Sequence, residues 1–248
     1  MDADRQSEPF RGGIDRPQRA LAERHVAHDQ HQHLDEALVL RAALDLGAII
    51  LARSPGDPII AFPQDALAGR LHARSPDSHL KACFDRFADR FETHLVDALD
   101  YRIPEKAGAM LARQGRRYPR VLDLGCGTGL AAPCARTVGA VRLVGVDISP
   151  GMLAKAAERN LYDLLREQEA VGYLRESTEI FDLVLCLDVL VYFGDLEELF
   201  AVLAPRVVPG GDVVVSFETG SREPFSLAPS GRFVHSTDYV GAITARYF

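Results

Sequence analysis

From residue 119 onward, short apolar runs alternate with stretches of helical periodicity. The apolar runs fall at 120–124, 141–146, about 164–168, 181–187 and 212–217. Helical stretches lie between them, at roughly 129–138, 150–158, 172–177 and 195–205. This βα alternation predicts an α/β, doubly wound, Rossmann-like fold with a mostly parallel sheet and helices on both faces. Ser149 before Pro150 reads as an N-cap with proline at the first helical position. Gly210-Gly211 reads as a tight turn into the fifth strand.

Upstream, residues 81–118 form a bridging helical region in which Phe84, Phe87, Phe91 and Leu95 share one apolar face. Residues 34–80 are helical in pattern, with Leu34, Leu38, Leu44, Ile49 and Ile50 near a 3.6 period until Pro55-Gly56-Asp57-Pro58. The strings Ala52-Arg53-Ser54-Pro55 and Ala73-Arg74-Ser75-Pro76 recur after 21 residues. That rhythm of helix then proline looks similar to tetratricopeptide repeats, but fewer than two units fit, so a small helical appendage is expected. Residues 1–33 are polar and charged and read as a flexible tail. His25, His28, His31 and His33 lie there without the cysteine or carboxylate pattern of a metal site, and no metal is expected.

Composition narrows the class. A chain of 248 residues with 47% hydrophobic and 25% charged content can bury one sizeable core plus an appendage. The formal charge of −7 disfavours a phosphate-tracking surface, so no nucleic-acid partner is expected. The basic cluster Arg113, Arg116, Arg117 and Arg120 reads as a helix C-terminus and a solvated loop. Cys83, Cys126, Cys134 and Cys186 have no C-x-x-C spacing and are expected to be reduced thiols. No apolar run approaches the ~18 residues of a membrane span, and the charged N-terminus is unlike a signal segment. A cytoplasmic protein with no membrane partner is expected.

The chemistry concentrates in Val121-Leu122-Asp123-Leu124-Gly125-Cys126-Gly127-Thr128-Gly129. A glycine turn between strand and helix lets the backbone approach a ligand that any Cβ would hold off. The next strand, Leu143-Val144-Gly145-Val146, ends in Asp147, 18 residues beyond Gly129, where an acid takes two ribose hydroxyls. The spacing is G-x-G-x-G rather than the G-x-G-x-x-G of a dinucleotide site, and no lysine follows to make a phosphate loop. Asp123 would repel a pyrophosphate and welcome a cationic amino or sulfonium group. Nicotinamide chemistry is therefore disfavoured.

Asp-Leu-Gly-Cys-Gly-Thr-Gly resembles motif I of the class I S-adenosylmethionine (SAM) methyltransferases. The resemblance implies SAM as cofactor and assigns it residues. Asp123 holds the methionine ammonium, with backbone contacts from Gly125 and Gly127. Asp147 takes the ribose, while Ile148 and Met152 line the adenine face. Glu169 and Ala170 stand where such enzymes contact the adenine amino group. Phe181 to Leu187, followed by Asp188-Val189-Leu190, looks like motif IV, whose end at Leu187 lies beside the transferable methyl. The segment 84–95 resembles the entry helix that closes over SAM, with 99–104 as hinge. Together with 188–196 and 230–236, these segments look like the bacterial predicted methyltransferases that carry tetratricopeptide-like N-termini.

The expected organisation is a tail over 1–33, an appendage over 34–80 and a SAM-binding domain over 81–248, with 81–118 as lid and entry helices. The expected activity is methyl transfer to an unidentified small-molecule or protein acceptor. The alternative is a SAM-binding interaction protein of little or no turnover, whose helical N-terminus docks a protein partner. Where the acceptor carries a proton, a base contributes about 10²–10⁴-fold. His235, Tyr192 and Glu218 are the candidates, His235 first because its ordinary pKa lies near neutrality. The resemblance also implies an antiparallel strand pair after the fifth strand. Only 31 residues follow Phe217, with a capped helix near Thr237-Asp238, so these C-terminal strands are expected to be missing. Unless the Phe225–Phe248 tail folds back to cover it, that would leave 213–217 as an open edge prone to self-association, which Val214→Lys should relieve.

Overall fold

A computed structural model of the chain describes residues 26–27, 58–67, 70, 72–92 and 101–248. The four tail histidines, the helical pattern over 34–50, the first of the two repeated strings, Leu95 and Leu99-Asp100 lie outside the described residues. Six parallel strands form the central sheet: β1 (Val26–Ala27), β2 (Arg120–Leu124), β3 (Arg142–Asp147), β4 (Leu164–Glu167), β5 (Phe181–Cys186) and β6 (Val207–Ser216). Their order is β1-β6-β5-β2-β3-β4, all neighbours parallel. The chain winds outward from β2 through β3 to β4, then returns to lay β5 on the other side of β2. The switch point therefore lies between β2 and β5, where α/β sheets open a crevice at the carboxyl ends of their strands.

Alternation along the strands splits the core into two layers. Val121, Leu143, Leu183, Leu185 and Val214 face one way, packing with α3 (Ile103–Arg113) and α4 (Ala132–Thr137) through Ala107, Leu111 and Ala135. Leu122, Val144, Val184, Cys186 and Val215 face the other. They pack with α6 (Ala170–Glu176), α7 (Glu197–Leu203) and α8 (Thr237–Tyr247) through Leu174, Phe200 and Val240. At the opposite end of the strands, Arg116 and Tyr118 donate to Asp212 at 2.6 and 2.5 Å, and Arg120 pairs with Asp182 at 3.2 Å. Part of the arginine cluster thus ties strand beginnings together.

Between β1 and β2 in the chain lie α1 (Pro58–Leu67) and α2 (Asp77–Phe87). α5 (Pro150–Glu158) starts as expected, with Ser149 Oγ accepting from Met152 N at 3.1 Å.

Two expectations about the C-terminal part need correction, the tight turn at Gly210-Gly211 and the open edge at 213–217, while the antiparallel pair is absent from the central sheet of the described residues as expected. Gly210-Gly211 does not precede the fifth strand but lies inside β6, where two residues of β5 are matched by five of β6. Gly210, at φ +75°, supplies the left-handed turn of that bulge. Beyond β6 the chain does form strands, though not in the central sheet: β7 (Glu218–Thr219), β8 (Phe225–Leu227) and β9 (Phe233–His235) make a separate sheet in the order β7-β9-β8. β1 pairs with the carboxyl end of β6 at Val215 and Ser216. Val214 itself is 1% exposed, so a lysine there would bury an ammonium and cost stability rather than raise solubility.

Candidate functional site

The carboxyl ends of β2, β3 and β5 open into a cavity of about 260 Å³. All nine residues assigned to the cofactor line it: Asp123, Gly125 and Gly127 from the first turn, Asp147, Ile148 and Met152 from the second, Glu169, Ala170 and Leu187 from the next two. The glycines have separate reasons. A Cβ on Gly125, at φ +74°, would come within 2.3 Å of the Val189 side chain. Gly127, at φ +53°, faces open space, so its backbone is bared to whatever fills the cavity.

Asp147 braces this turn. Its carboxylate accepts from Gly127 N at 2.8 Å and Ser149 N at 2.9 Å. Burial nonetheless pushes its pKa above the usual carboxylate range, against the pull of those N–H groups. Asp123 is 2% exposed and accepts from the Tyr162 hydroxyl at 2.6 Å. Burial, reinforced by the charge of Asp147 and opposed by the Tyr162 bond, pushes the Asp123 carboxyl up to about 7. Among the described residues no cation pairs with either acid. Two carboxylates confined together without a counter-charge suit a cationic ligand.

Glu169 has a second task that the sequence reading missed. It is the N-cap of α6, accepting from Val171 N at 2.9 Å and from Gly172 N, and it also accepts from Arg74 at 3.0 Å. Arg74 belongs to a strap: Gly194 N and Asp195 N donate to Ala73 O, and Ser75 N donates to Tyr192 O at 2.8 Å. Ser75 and Thr128, both 1% exposed, line the cavity with hydroxyls that have no partner among the described residues. An unpaired buried hydroxyl costs about 1–3 kcal/mol. Ser75→Ala is therefore expected to raise the melting temperature of the ligand-free protein by roughly 2–4 °C, measured by calorimetry. A lower melting temperature would show that Ser75 is already satisfied.

The proposed bases separate. Tyr192 lines the cavity, its phenol held protonated by burial and accepting from Arg232 Nη1 at 3.1 Å. Glu218 stands behind, accepting from Arg232 Nε at 2.6 Å. His235 is corrected. It is fully buried away from the cavity, with Nε2 2.8 Å from Phe193 O and 3.2 Å from Gly194 O. Two carbonyl acceptors require Nε2 to carry the proton, and burial lowers the ring's pKa. His235 holds the 193–194 turn and reaches nothing in the cavity.

In its place the fold brings Asp188, Arg232 and Tyr101 to the cavity wall. Asp188 follows β5 at φ +59°, a left-handed conformation rare outside glycine, and donates its N–H to Ser216 Oγ at 2.6 Å. Its Oδ1 accepts from Arg232 Nη2 at 2.6 Å. The available signal was its place directly after the motif IV strand.

Over the cavity lie α2 and the turn that follows it, with Phe84, Phe87 and, just beyond, Phe91 lining it. The Phe84 ring meets Tyr192 edge-on at 5.6 Å. No residue of α2 is fully buried, and the helix is held by polar bonds to α5: Ser149 Oγ donates to Asp85 at 2.6 Å, and Gly151 N at 3.2 Å. A helix that finishes its apolar contacts only around a ligand is expected to open locally without one. Amide exchange over 77–92 should slow when S-adenosylhomocysteine is added. Protection already high and unchanged by ligand would instead mark permanent packing.

Residues 121–211 match the Methyltransferase domain family. The chain is 33% identical over 144 residues to the ribosomal protein L11 methyltransferase of Xanthomonas oryzae pv. oryzae, covering 58% of this chain and 44% of that one. It spans between 27% and 55% of the length of the curated relatives it matches. Among solved structures, magnesium protoporphyrin IX methyltransferase from Synechocystis PCC 6803 with bound S-adenosylhomocysteine superposes at a TM-score of 0.56. That pair shares 19% identity over 69% of this chain and 88% of that one. The N-methyltransferase NodS from Bradyrhizobium japonicum WM9, in complex with the same compound, gives 0.55 at 18% identity, covering 67% and 85%. Residues 121–211 thus match the Methyltransferase domain family, and the chain shares the Rossmann-like fold of these two solved methyltransferases.

Proposed function

We propose that the chain is a SAM-dependent methyltransferase, holding SAM in the cavity at the β2/β5 switch point and methylating an acceptor that enters beside Asp188. The observation that carries the reading is the pair Asp123, buried, and Asp147, half-buried: carboxylates with no cation partner among the described residues, flanking a glycine turn whose backbone is open to the cavity. SAM supplies a methyl group already activated on sulfonium. Asp123 would face the ammonium, and Asp147 the ribose hydroxyls while bracing Gly127. Ile148 and Met152 would flank the adenine, with Glu169 and Ala170 at its far edge. The unpartnered hydroxyl of Thr128 completes the fit beside the turn. Because the leaving group is activated, the chain's contribution is alignment and exclusion of water, for which the phenylalanines of α2 form a roof.

Under the same reading, residues 34–80 are a tetratricopeptide-like appendage on which a protein partner docks, and 81–248 are the catalytic domain of a cytoplasmic enzyme. Calorimetric titration with SAM, S-adenosylhomocysteine and NADH tests cofactor choice: the first two should bind and the third should not. Release of S-adenosylhomocysteine on adding cell extract separates an enzyme from an inert SAM-binding protein. Binding without release under any extract would favour the latter.

A further inference from the structure

We propose that the acceptor site is built for an amine nitrogen, with Asp188 as the residue that receives it; this rests on the methyl-transfer reading above. The wall beyond Leu187 contains Asp188, Tyr192, Arg232 and Tyr101. Arg232 is the cation here, and it is shared: Asp188 takes Nη2, Glu218 takes Nε, and the Tyr192 oxygen takes Nη1. Two carboxylates on one guanidinium leave a net negative charge. One oxygen of Asp188 accepts from Arg232 and the other has no hydrogen bond among the described residues. Tyr101, kept protonated by burial, likewise has a hydroxyl without a partner among the described residues. On the same wall, the Ser75 hydroxyl is 1% exposed and unpaired, one hydrogen-bonded step from Tyr192. The backbone of Asp188 is held left-handed by Ser216, so its carboxylate is fixed rather than swinging.

An acceptor meets a fixed net negative charge at this wall beside hydroxyls that can donate or accept, so the carboxylates favour a group that brings hydrogen-bond donors. A neutral amine does. As it attacks, the nitrogen lone pair forms the new C–N bond while the C–S bond breaks, its electrons staying on sulfur; the extra proton then leaves the nitrogen for water. Positive charge grows on nitrogen during this step, and fixed negative surroundings stabilise that growth. A carboxylate or phenolate acceptor would arrive negative, be repelled on entry, and lose charge as it reacts. The phenylalanine roof suits an apolar body on the amine.

Three probes with a common aryl body decide it: benzylamine, benzoate and phenol, titrated by calorimetry into the protein saturated with S-adenosylhomocysteine. Benzylamine should bind at least about tenfold more tightly than the other two. Asp188→Asn, which keeps the shape and removes the charge, should abolish that preference while S-adenosylhomocysteine affinity stays within about twofold. Should Asp188→Asn prove unfolded by its melting curve, Tyr101→Phe replaces it; it touches none of the ion pairs and should weaken benzylamine severalfold. Benzoate or phenol binding as well as benzylamine, or a benzylamine preference that survives both substitutions, overturns the proposal. Failure of S-adenosylhomocysteine itself to bind would instead sink the methyl-transfer reading, which the first titration detects separately.

Discussion

Asp147→Ala is expected to weaken SAM binding by about a hundredfold, measured by calorimetry. The alanine removes the carboxylate proposed to accept from two ribose hydroxyls, and hydrogen bonds to a charged group contribute roughly 1.5–3 kcal/mol each. It also releases Gly127 N and Ser149 N, so the turn that bares its backbone to the ligand loses its brace. The two losses add because both are felt in the bound state, and each 1.4 kcal/mol is about a factor of ten. The fold should survive. Burial already disfavours the Asp147 carboxylate, so its removal should move the melting temperature by less than about 5 °C. Parent-like affinity in Asp147→Ala would remove the ribose assignment.

Asp123→Asn is expected to stabilise the ligand-free protein at pH 8 and to weaken SAM binding there. The folded-state pKa of Asp123, about 7, lies above the ordinary carboxylate value of 3.8. The stability linked to this group is therefore fully present below the unfolded value and is lost as the pH rises through the folded one. At about 1.4 kcal/mol per unit, the penalty at pH 8 is on the order of 2–4 kcal/mol. An amide mimics the protonated acid and escapes it, raising the melting temperature by roughly 5–10 °C at pH 8 and by little near pH 4. Binding runs the other way. A cationic ligand prefers the ionised carboxylate, so parent affinity for SAM should rise with pH through about 7, and Asp123→Asn should flatten that rise. A parent affinity constant between about pH 6 and 8, or a variant less stable at pH 8, would mean that Asp123 is ionised in the empty site.

Much of this site was legible beforehand because its residues are tied to sheet periodicity. A strand that alternates core and crevice, then breaks at glycine, must deliver its last side chains to the carboxyl edge of a parallel sheet. Asp123, Asp147 and Leu187 are such residues, each at or near the end of a strand whose run of apolar positions is plain in the chain. Ser149 was equally local: a hydroxyl one residue before proline caps a helix wherever that helix is placed.

Legible along the chain, then, are the βα order, the crevice it creates and the residues proposed to hold the cofactor. The wall proposed for the acceptor depends on tertiary structure, for a physical reason visible at β9. Phe233 and His235 share its buried face, while Arg232, one residue earlier, reaches the cavity. With a period of two, a shift of one position exchanges the faces, and which face turns inward depends on pairing with β7 and β8, not on anything within 230–236. The same holds for the bulge in β6, where Gly210-Gly211 is absorbed into a strand because β5 offers a partner on both sides of it. It holds also for Glu169, whose carboxylate caps α6 and meets Arg74 from a segment 95 residues away. Local pattern specifies elements; only long-range pairing specifies which of their side chains meet.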